Sequence, residues 1–161
     1  MYSKISFVLL TFSLLFTACN KEAYVNENSA FIMFKTSTFK YADMGFIYEN
    51  SSEVKAEIYG SGQALMSLSV NSSSVCLSLI ECMSKKEFNK QVLSSSYPDN
   101  ILDNIFRGKA IFSSKNIVKN SRGFTQTIVK PNKYNIKYSV LNNEIVFNDK
   151  INQIVIKVKK F

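Results

Sequence analysis

Three cysteines and the absence of histidine decide which chemistry this chain can carry. A thiol can be acylated, oxidised to a disulfide or bound to a metal, and a chain without histidine lacks the usual general base and nucleophile activator. Cys19 follows an apolar run, whereas Cys76 and Cys82 lie six residues apart in CLSLIEC. The sequence therefore favours acylation or cross-linking over catalysis, and we expect no enzyme activity, no cofactor and no metal site.

Cys19 is preceded by the features of an export signal. Lys4 supplies a positive charge near the N-terminus, and residues 5–16 (ISFVLLTFSLLF) form an apolar run. Two small residues, Thr17 and Ala18, then precede the cysteine. The run is about a dozen residues and a spanning helix needs about 20, so cleavage is favoured over a permanent anchor. FTAC resembles the lipobox of bacterial lipoproteins, which implies that the thiol is lipidated and becomes the new N-terminus. The alternative is ordinary secretory cleavage that leaves Cys19 unmodified.

These features divide the chain into three parts. Residues 1–18 are a predicted signal peptide, 19–29 a lipidated tether and 30–161 one folded domain of ordinary size. The expected location is the periplasmic face of the outer membrane, where the partner of Cys19 is membrane lipid.

The charge of the chain is concentrated in its C-terminal third. The formal net charge is +8, and residues 107–161 carry 12 basic and only 2 acidic side chains. Export argues against nucleic acid as the partner. Anionic lipid headgroups or an acidic protein are better candidates, and a solvated basic surface that keeps the domain soluble explains the surplus equally well.

Short apolar segments with period-two alternation predict a mainly antiparallel β domain. The clearest is Lys133 to Leu141, in which Tyr134, Ile136 and Tyr138 alternate with polar residues. The predicted strands are 30–36, 45–48, 54–59, 64–70, 75–79, 110–113, 123–129, 133–141, 144–147 and 151–158.

Two helices interrupt the strands near the middle of the chain. Ser84 and Glu87 have the spacing of a capping box, which predicts a first helix over about 85–95. Pro98 and an apolar stripe that ends at Gly108 predict a second helix over about 98–107. We expect these helices to cover one side of the sheet.

The order of these parts resembles the outer-membrane lipoprotein receptor LolB and its relatives, from about Glu53 to Phe161. The matching segments are EVKAEIYGSGQALMSLSV, NSSSVCLSL, MSKKEFNKQVLSSSYPDNILDNIFRGKAIF and KYNIKYSVLNNEIVFNDKINQIVIKVKKF. The resemblance implies a half-open β-barrel with an apolar concave side. It also implies a protein that receives acyl chains from a periplasmic lipoprotein carrier and delivers lipoproteins to the outer membrane.

The resemblance also implies a membrane-delivery turn between the matched strands. The family carries an exposed leucine there, and this chain has Ser61 in the turn formed by Tyr59, Gly60, Ser61 and Gly62. Tyr59 or Leu65 is the candidate to replace the leucine.

An acyl cargo requires an apolar cavity, and alternating strands supply one where the inward row is underfilled. Ordinary core packing is the alternative explanation for the same residues. The candidate cavity residues are Phe31, Met33, Ile58, Met66, Leu68, Ile105, Ile136, Tyr138 and Ile156.

Cys76 and Cys82 are a candidate disulfide in an oxidising compartment. Six residues of continuous strand would separate them by about 20 Å, so a bridge requires the chain to bend near residues 79–81. Two functions remain from different classes: an acceptor of lipoproteins or other acyl cargo, and a structural envelope lipoprotein that binds another protein without lipid cargo.

Overall fold

A computed structural model describes residues 23–78 and 81–161. In this part of the chain, eleven strands and two α-helices follow one another, with one short 3-10 turn. The strands before the helices are β1 (Asn26–Lys35), β2 (Lys40–Glu49), β3 (Val54–Gly60), β4 (Gln63–Val70), β5 (Ser74–Leu77) and β6 (Glu81–Ser84). The helices are α1 (Lys85–Val92) and α2 (Ile101–Phe106). The remaining strands are β7 (Ile117–Asn120), β8 (Gly123–Lys130), β9 (Tyr134–Leu141), β10 (Glu144–Asp149) and β11 (Ile154–Lys160).

All eleven strands belong to one sheet in the order β6-β5-β4-β3-β2-β1-β11-β10-β9-β8-β7. Every neighbouring pair is antiparallel. Within the described residues β6 and β7 do not pair with each other, so the sheet is open. The predicted class, a mainly β, antiparallel and unclosed fold with two short central helices, is confirmed.

The first and last strands meet in the middle of this sheet. β1 pairs with β11, with Ala30 opposite Lys160, while β6 and β7 from the middle of the chain form the two edges. We call the end of the sheet where β1 begins and β11 finishes the proximal end. The distal end is the opposite one, which includes the turn between β3 and β4.

The core lies on one face of the sheet because inward side chains alternate with outward ones. In β3, Val54, Ala56 and Ile58 are fully buried, whereas Lys55 and Glu57 between them reach the other face. The same cluster includes apolar residues of both helices, among them Phe88 and Ile105. The helices therefore complete the core on this inward face of the sheet, which we call the concave face; the opposite side is the outer face.

The first helix begins at the capping signal that the sequence predicts, and both helices are shorter than predicted. The Ser84 hydroxyl accepts a hydrogen bond from the backbone N–H of Glu87 at 3.2 Å, as the capping-box spacing predicts. The first helix ends at Val92, earlier than predicted, and the second spans only Ile101–Phe106. Neither helix in the described ranges is long and apolar enough to cross a bilayer.

Several boundaries differ from the sequence prediction. β2 begins at Lys40 rather than at residue 45, and β11 spans Ile154–Lys160 rather than 151–158. β1 begins at Asn26, so the second part of the predicted tether is sheet, with Asn26 opposite Glu49. The predicted strand at 110–113 is wrong, because Phe112–Ser114 form a 3-10 turn with positive φ. β6 and β7 were not predicted, since each is only 4 residues long. The signal peptide at 1–18, Cys19 and the first residues of the tether lie outside the described residues.

Candidate functional site

The candidate cavity residues on the concave face are packed together. Seven of the nine belong to the buried core: Ile58, Met66, Leu68, Ile105, Ile136, Tyr138 and Ile156. Their exposed fractions lie between 0% and 2%. A side chain with no accessible surface touches no space that a water molecule could enter. In this conformation the region between the helices and these residues is filled by the protein's own side chains.

Phe31 and Met33 do not line this region, and their assignment to the concave face is wrong. Ala30, Ile32 and Phe34 of the same strand are fully buried, so the residues between them point to the outer face. The outer pair lies beside lysines of β11, with Phe31 opposite Lys159 and Met33 opposite Lys157. A run of five apolar residues hides the alternation, which is why the sequence did not separate the two faces.

Tyr97 attaches the segment between the helices to the sheet. Its hydroxyl donates a hydrogen bond to the buried carboxylate of Asp149, at the end of β10. Burial, and then the bond to Asp149, raises the pKa of Tyr97 far above its usual value. Its ring packs against Phe112, Tyr134 and Phe147 at 5.9–6.2 Å between centroids. This attachment combines a charge-assisted hydrogen bond with aromatic packing.

Asp149 also organises the turn between β10 and β11. It accepts hydrogen bonds from the backbone N–H groups of Asn135 and Ile151, both at 2.9 Å, and from the Asn152 side chain at 2.6 Å. Burial by itself raises the pKa of Asp149, but the bonds from Tyr97 and these donors outweigh it and hold that pKa below the ordinary value. Asp149 is therefore a buried carboxylate satisfied in its ionised form.

Arg107 attaches the end of α2 to the turn after β2. Its guanidinium donates to the Asp103 carboxylate at 2.8 Å and to the backbone carbonyl of Asn50 at 2.8 Å. The Glu49 carboxylate lies 3.9 Å away and also accepts from Lys160 at 2.7 Å. The helical cover is thus tied to the proximal end of the sheet by an ionic network as well as by the core.

Gln126 holds the chain that leaves the helices. Its amide accepts from the backbone N–H of Ile111 at 2.8 Å and donates to the carbonyls of Ile111 and Lys115 at 3.0 and 2.7 Å. Tyr138 donates to the Lys109 carbonyl at 3.0 Å. The sequence prediction missed Gln126, Asn50, Arg107 and Asp149 as structural residues. The only signal for Gln126 is its inward place in the alternation of β8, between Phe124 and Ile128.

The predicted delivery turn lies at the distal end. Ser61 and Gly62 form a tight link between β3 and β4 with positive φ values of 51° and 79°. Leu65 is about half exposed at 51% and packs over Gly60, where a Cβ atom would approach the Leu65 side chain to 2.5 Å. Tyr59 instead donates to Glu57 at 2.9 Å. Leu65 is therefore the exposed apolar side chain beside this turn.

The outer face of β2 to β4 carries aromatic and charged side chains. The Lys55 ammonium lies 2.9 Å from Glu57 and 4.4 Å from the centre of the Tyr48 ring. Burial, then the charges of Glu57 and Glu27, raises the pKa of Tyr48 to about 12. Polar side chains of β3 and β4 line a groove of about 400 Å³ that runs to the edge of the sheet.

The disulfide lies beside this groove. Cys76 and Cys82 are directly opposite each other in β5 and β6 and are joined by a bridge, with 4.0 Å between their α-carbons. The two strands are antiparallel, as the bridge requires, and residues 79 and 80 of the predicted bend lie outside the described residues. The bond therefore fastens the short edge strand β6, and with it the residue that caps α1, to the sheet.

Comparison with known proteins assigns no family to this chain. No protein-family model matches the sequence, and no curated protein is significantly similar to it.

Proposed function

We propose that the protein is an outer-membrane lipoprotein that accepts and delivers lipoproteins or other acyl cargo between its sheet and its helices. One observation carries the proposal: a wide open sheet presents an apolar concave face that is covered by two short helices. The order of strands, helix pair and strands also agrees with the half-open barrel that the LolB resemblance implies. Cargo enters only if the helices move, because the concave residues are fully packed.

The attachments of the helices suggest where such movement begins. Tyr97 precedes α2 and Arg107 follows it. Their side-chain hydrogen bonds, to Asp149 and to the Asn50 carbonyl, fix the two ends of α2. Removing one of them lowers the free energy needed to displace the helices while it leaves the concave face unchanged. Weakened attachment should therefore speed the uptake of an acyl chain.

The uptake experiment uses the mature chain from Asn20 and a triacylated lipopeptide with a photoreactive acyl chain. We expect cross-links to concave residues such as Ile58, Leu68 and Ile136, and none to Phe31 or Met33 on the outer face. Cross-linking restricted to the outer face would contradict the proposal.

The rate of uptake supplies the second readout. Tyr97→Phe should take up the lipopeptide faster than the wild type, since the hydroxyl bond to Asp149 is lost. Gln91→Ala is the control, because Gln91 is exposed on α1 and its side-chain amide donates to Glu87 of the same helix. Equal rates for the three proteins would mean that opening of the helices does not limit uptake.

The lipid anchor is tested separately at Cys19. Mass spectrometry of the mature N-terminal peptide should show a diacylglyceryl cysteine, and Cys19→Ser should release the protein from the membrane fraction. In cells, depletion of the protein should strand lipoproteins away from the outer membrane. Unchanged lipoprotein sorting after depletion would contradict the proposed delivery function, but it would not bear on the proposed lipid anchor.

A second function, a structural envelope lipoprotein that binds another protein, is favoured by the filled core. Seven candidate cavity residues have almost no accessible surface, as expected where the concave face serves only stability. This function predicts that the lipopeptide is not taken up even by Tyr97→Phe. A protein cross-linked to the outer face in intact cells would then identify the partner.

A further inference from the structure

A basic groove lies at the proximal end of the sheet, where the last strand meets two hairpin turns. It has a volume of about 470 Å³ and is lined by Arg122, Leu141, Asn142, Asn143, Glu144, Lys159 and Lys160. Backbone hydrogen bonds join its walls, from Asn142 N–H to the Arg122 carbonyl at 2.7 Å and from Lys160 N–H to the Asn143 carbonyl at 2.9 Å. The groove is thus built from connected parts of the sheet.

The charge of this groove is positive after its internal ion pairs are counted. Lys160 is paired with Glu49 and Lys157 with Glu144, each at 2.7 Å. Arg122 and Lys159 make no ion pair with any residue in the ranges 23–78 and 81–161. Two cations therefore remain for an external anion, next to the side-chain amides of the hairpin turn.

An exposed aromatic residue, Phe161, stands next to one of these cations, Lys159. Phe161 is 66% exposed, and the Lys159 ammonium lies 5.7 Å from the centre of its ring. Its backbone N–H donates to the Ser29 carbonyl of β1 at 3.1 Å, which fixes the residue at the proximal end. An aromatic ring beside lysine and arginine is the combination found where proteins meet the headgroup region of a bilayer.

The position of the anchor places this end close to the membrane. Six residues, 20–25, lie between Cys19 and Asn26, so the chain from one to the other reaches about 25 Å when fully extended. β1 has 10 residues and is about 33 Å long. The tether is shorter than the sheet is tall, so a domain that stands upright on its anchor presents the proximal end to the bilayer. This step rests on the lipid anchor of the proposed function.

We propose that the groove binds the phosphate of an anionic phospholipid headgroup and so orients the domain with its proximal end on the membrane. Arg122 and Lys159 supply the charge, the amides of Asn142 and Asn143 donate hydrogen bonds, and Phe161 enters the interface. The distal turn with Leu65 then faces away from this membrane, so this orientation excludes the membrane-delivery role that the LolB resemblance implies for that turn.

The test measures sedimentation of the unlipidated mature chain, from Asn20, with lipid vesicles. All buried core residues lie between Ala30 and Val158, so this chain keeps the whole described core. It should bind vesicles that contain phosphatidylglycerol, bind pure phosphatidylcholine vesicles weakly, and be released by salt. Arg122→Glu with Lys159→Glu should weaken binding about tenfold or more, at about 1 kcal/mol for each charge near the surface.

Lys130→Glu with Lys133→Glu is the matched control. Both lysines are exposed at the distal end, and the pair changes the net charge by the same amount. If the two double variants lost vesicle binding equally, the proposed site in the groove would be wrong, and the net charge of the protein would account for the binding. No binding of the wild type to anionic vesicles would also overturn the proposed site, as would saturation of the groove by inorganic phosphate without vesicle binding. The assay contains no lipopeptide and does not measure uptake between the sheet and the helices, so its failure leaves the proposed delivery function standing.

Discussion

The two faces of the same strands have opposite characters in this sheet. On β1, Ile32 and Phe34 are completely buried in the core, whereas Phe31 and Met33 lie on the outer face beside lysines of β11. All four residues are apolar, so composition alone does not distinguish them. The difference teaches that the concave face supplies stability as long as the helices stay in place, whereas the outer face and the proximal end carry groups that are exposed without any movement.

The difference in stability between the two faces should be largest when two neighbouring residues of β1, one from each face, are changed to alanine in turn. Ile32→Ala should lower the free energy of unfolding by about 2–5 kcal/mol, because it leaves a cavity in a filled core. Met33→Ala should cost under about 1.5 kcal/mol, because neighbouring water can occupy the space on the outer face. Urea unfolding monitored by circular dichroism checks both values. Equal losses would mean that the outer face packs as tightly as the inner one.

Polar groups on the concave side should matter nearly as much as the apolar core. Tyr97→Phe should cost about 1–3 kcal/mol, because the buried carboxylate of Asp149 loses a donor. Tyr134→Phe changes the same kind of residue in the same aromatic cluster and should cost less than about 1 kcal/mol. Thermal unfolding of the two variants measures the difference. A smaller effect at Tyr97 than at Tyr134 would contradict the role given to its hydroxyl.

Acid should weaken the inner face through Asp149. The pKa of this carboxyl is lower in the folded protein than its ordinary value of 3.8, so its ionised form stabilises the fold above that pH. This contribution is lost progressively as the pH falls below about 3.8. At neutral pH Asp149→Asn should be less stable than the wild type, and the difference should shrink in acid. A constant difference between pH 7 and pH 3 would show that the charge of Asp149 is not involved.

The outer face should show the smallest effect. Lys55→Met removes the ammonium from Tyr48 and Glu57 but keeps most of the side-chain volume, and it should cost at most about 1 kcal/mol. Burial by itself raises the pKa of Glu57, and bonds from Lys55, Tyr59 and Ser67 hold that pKa below its ordinary value. The variant should therefore move the pKa of Glu57 upward, which carboxyl NMR can follow. An unchanged pKa would mean that the other donors suffice.

Alternation along the strands was a reliable guide to the fold. In β9, Tyr134, Ile136 and Tyr138 alternate with polar residues, and in β11, Ile156 and Val158 alternate with lysines; all five inward residues are buried as predicted. The spacing of Ser84 and Glu87 also predicted the start of α1 correctly, because a hydrogen bond between residues three positions apart determines where this helix begins. Features set by neighbours one to four residues apart can therefore be predicted from this sequence.

Features set by distant residues could not be predicted. Ile111 and Phe112 look like a strand, but the Gln126 side chain occupies the hydrogen-bonding groups of Ile111 and the chain turns instead. Asp149 looks like an ordinary turn residue until Tyr97, 52 positions away, donates to it. In both cases the partner that decides the structure lies in another part of the chain.

The position of β11 has a consequence for how the chain reaches its final state. β11 follows the other ten strands of this sheet in the chain, yet it lies near the middle of the sheet, between β1 and β10. Until β11 is in place, the two halves of the sheet have no backbone hydrogen bonds between them, so completion of this sheet waits for a strand that is distant in sequence from most of its partners. A chain cut just before β11 would divide the sheet through its middle.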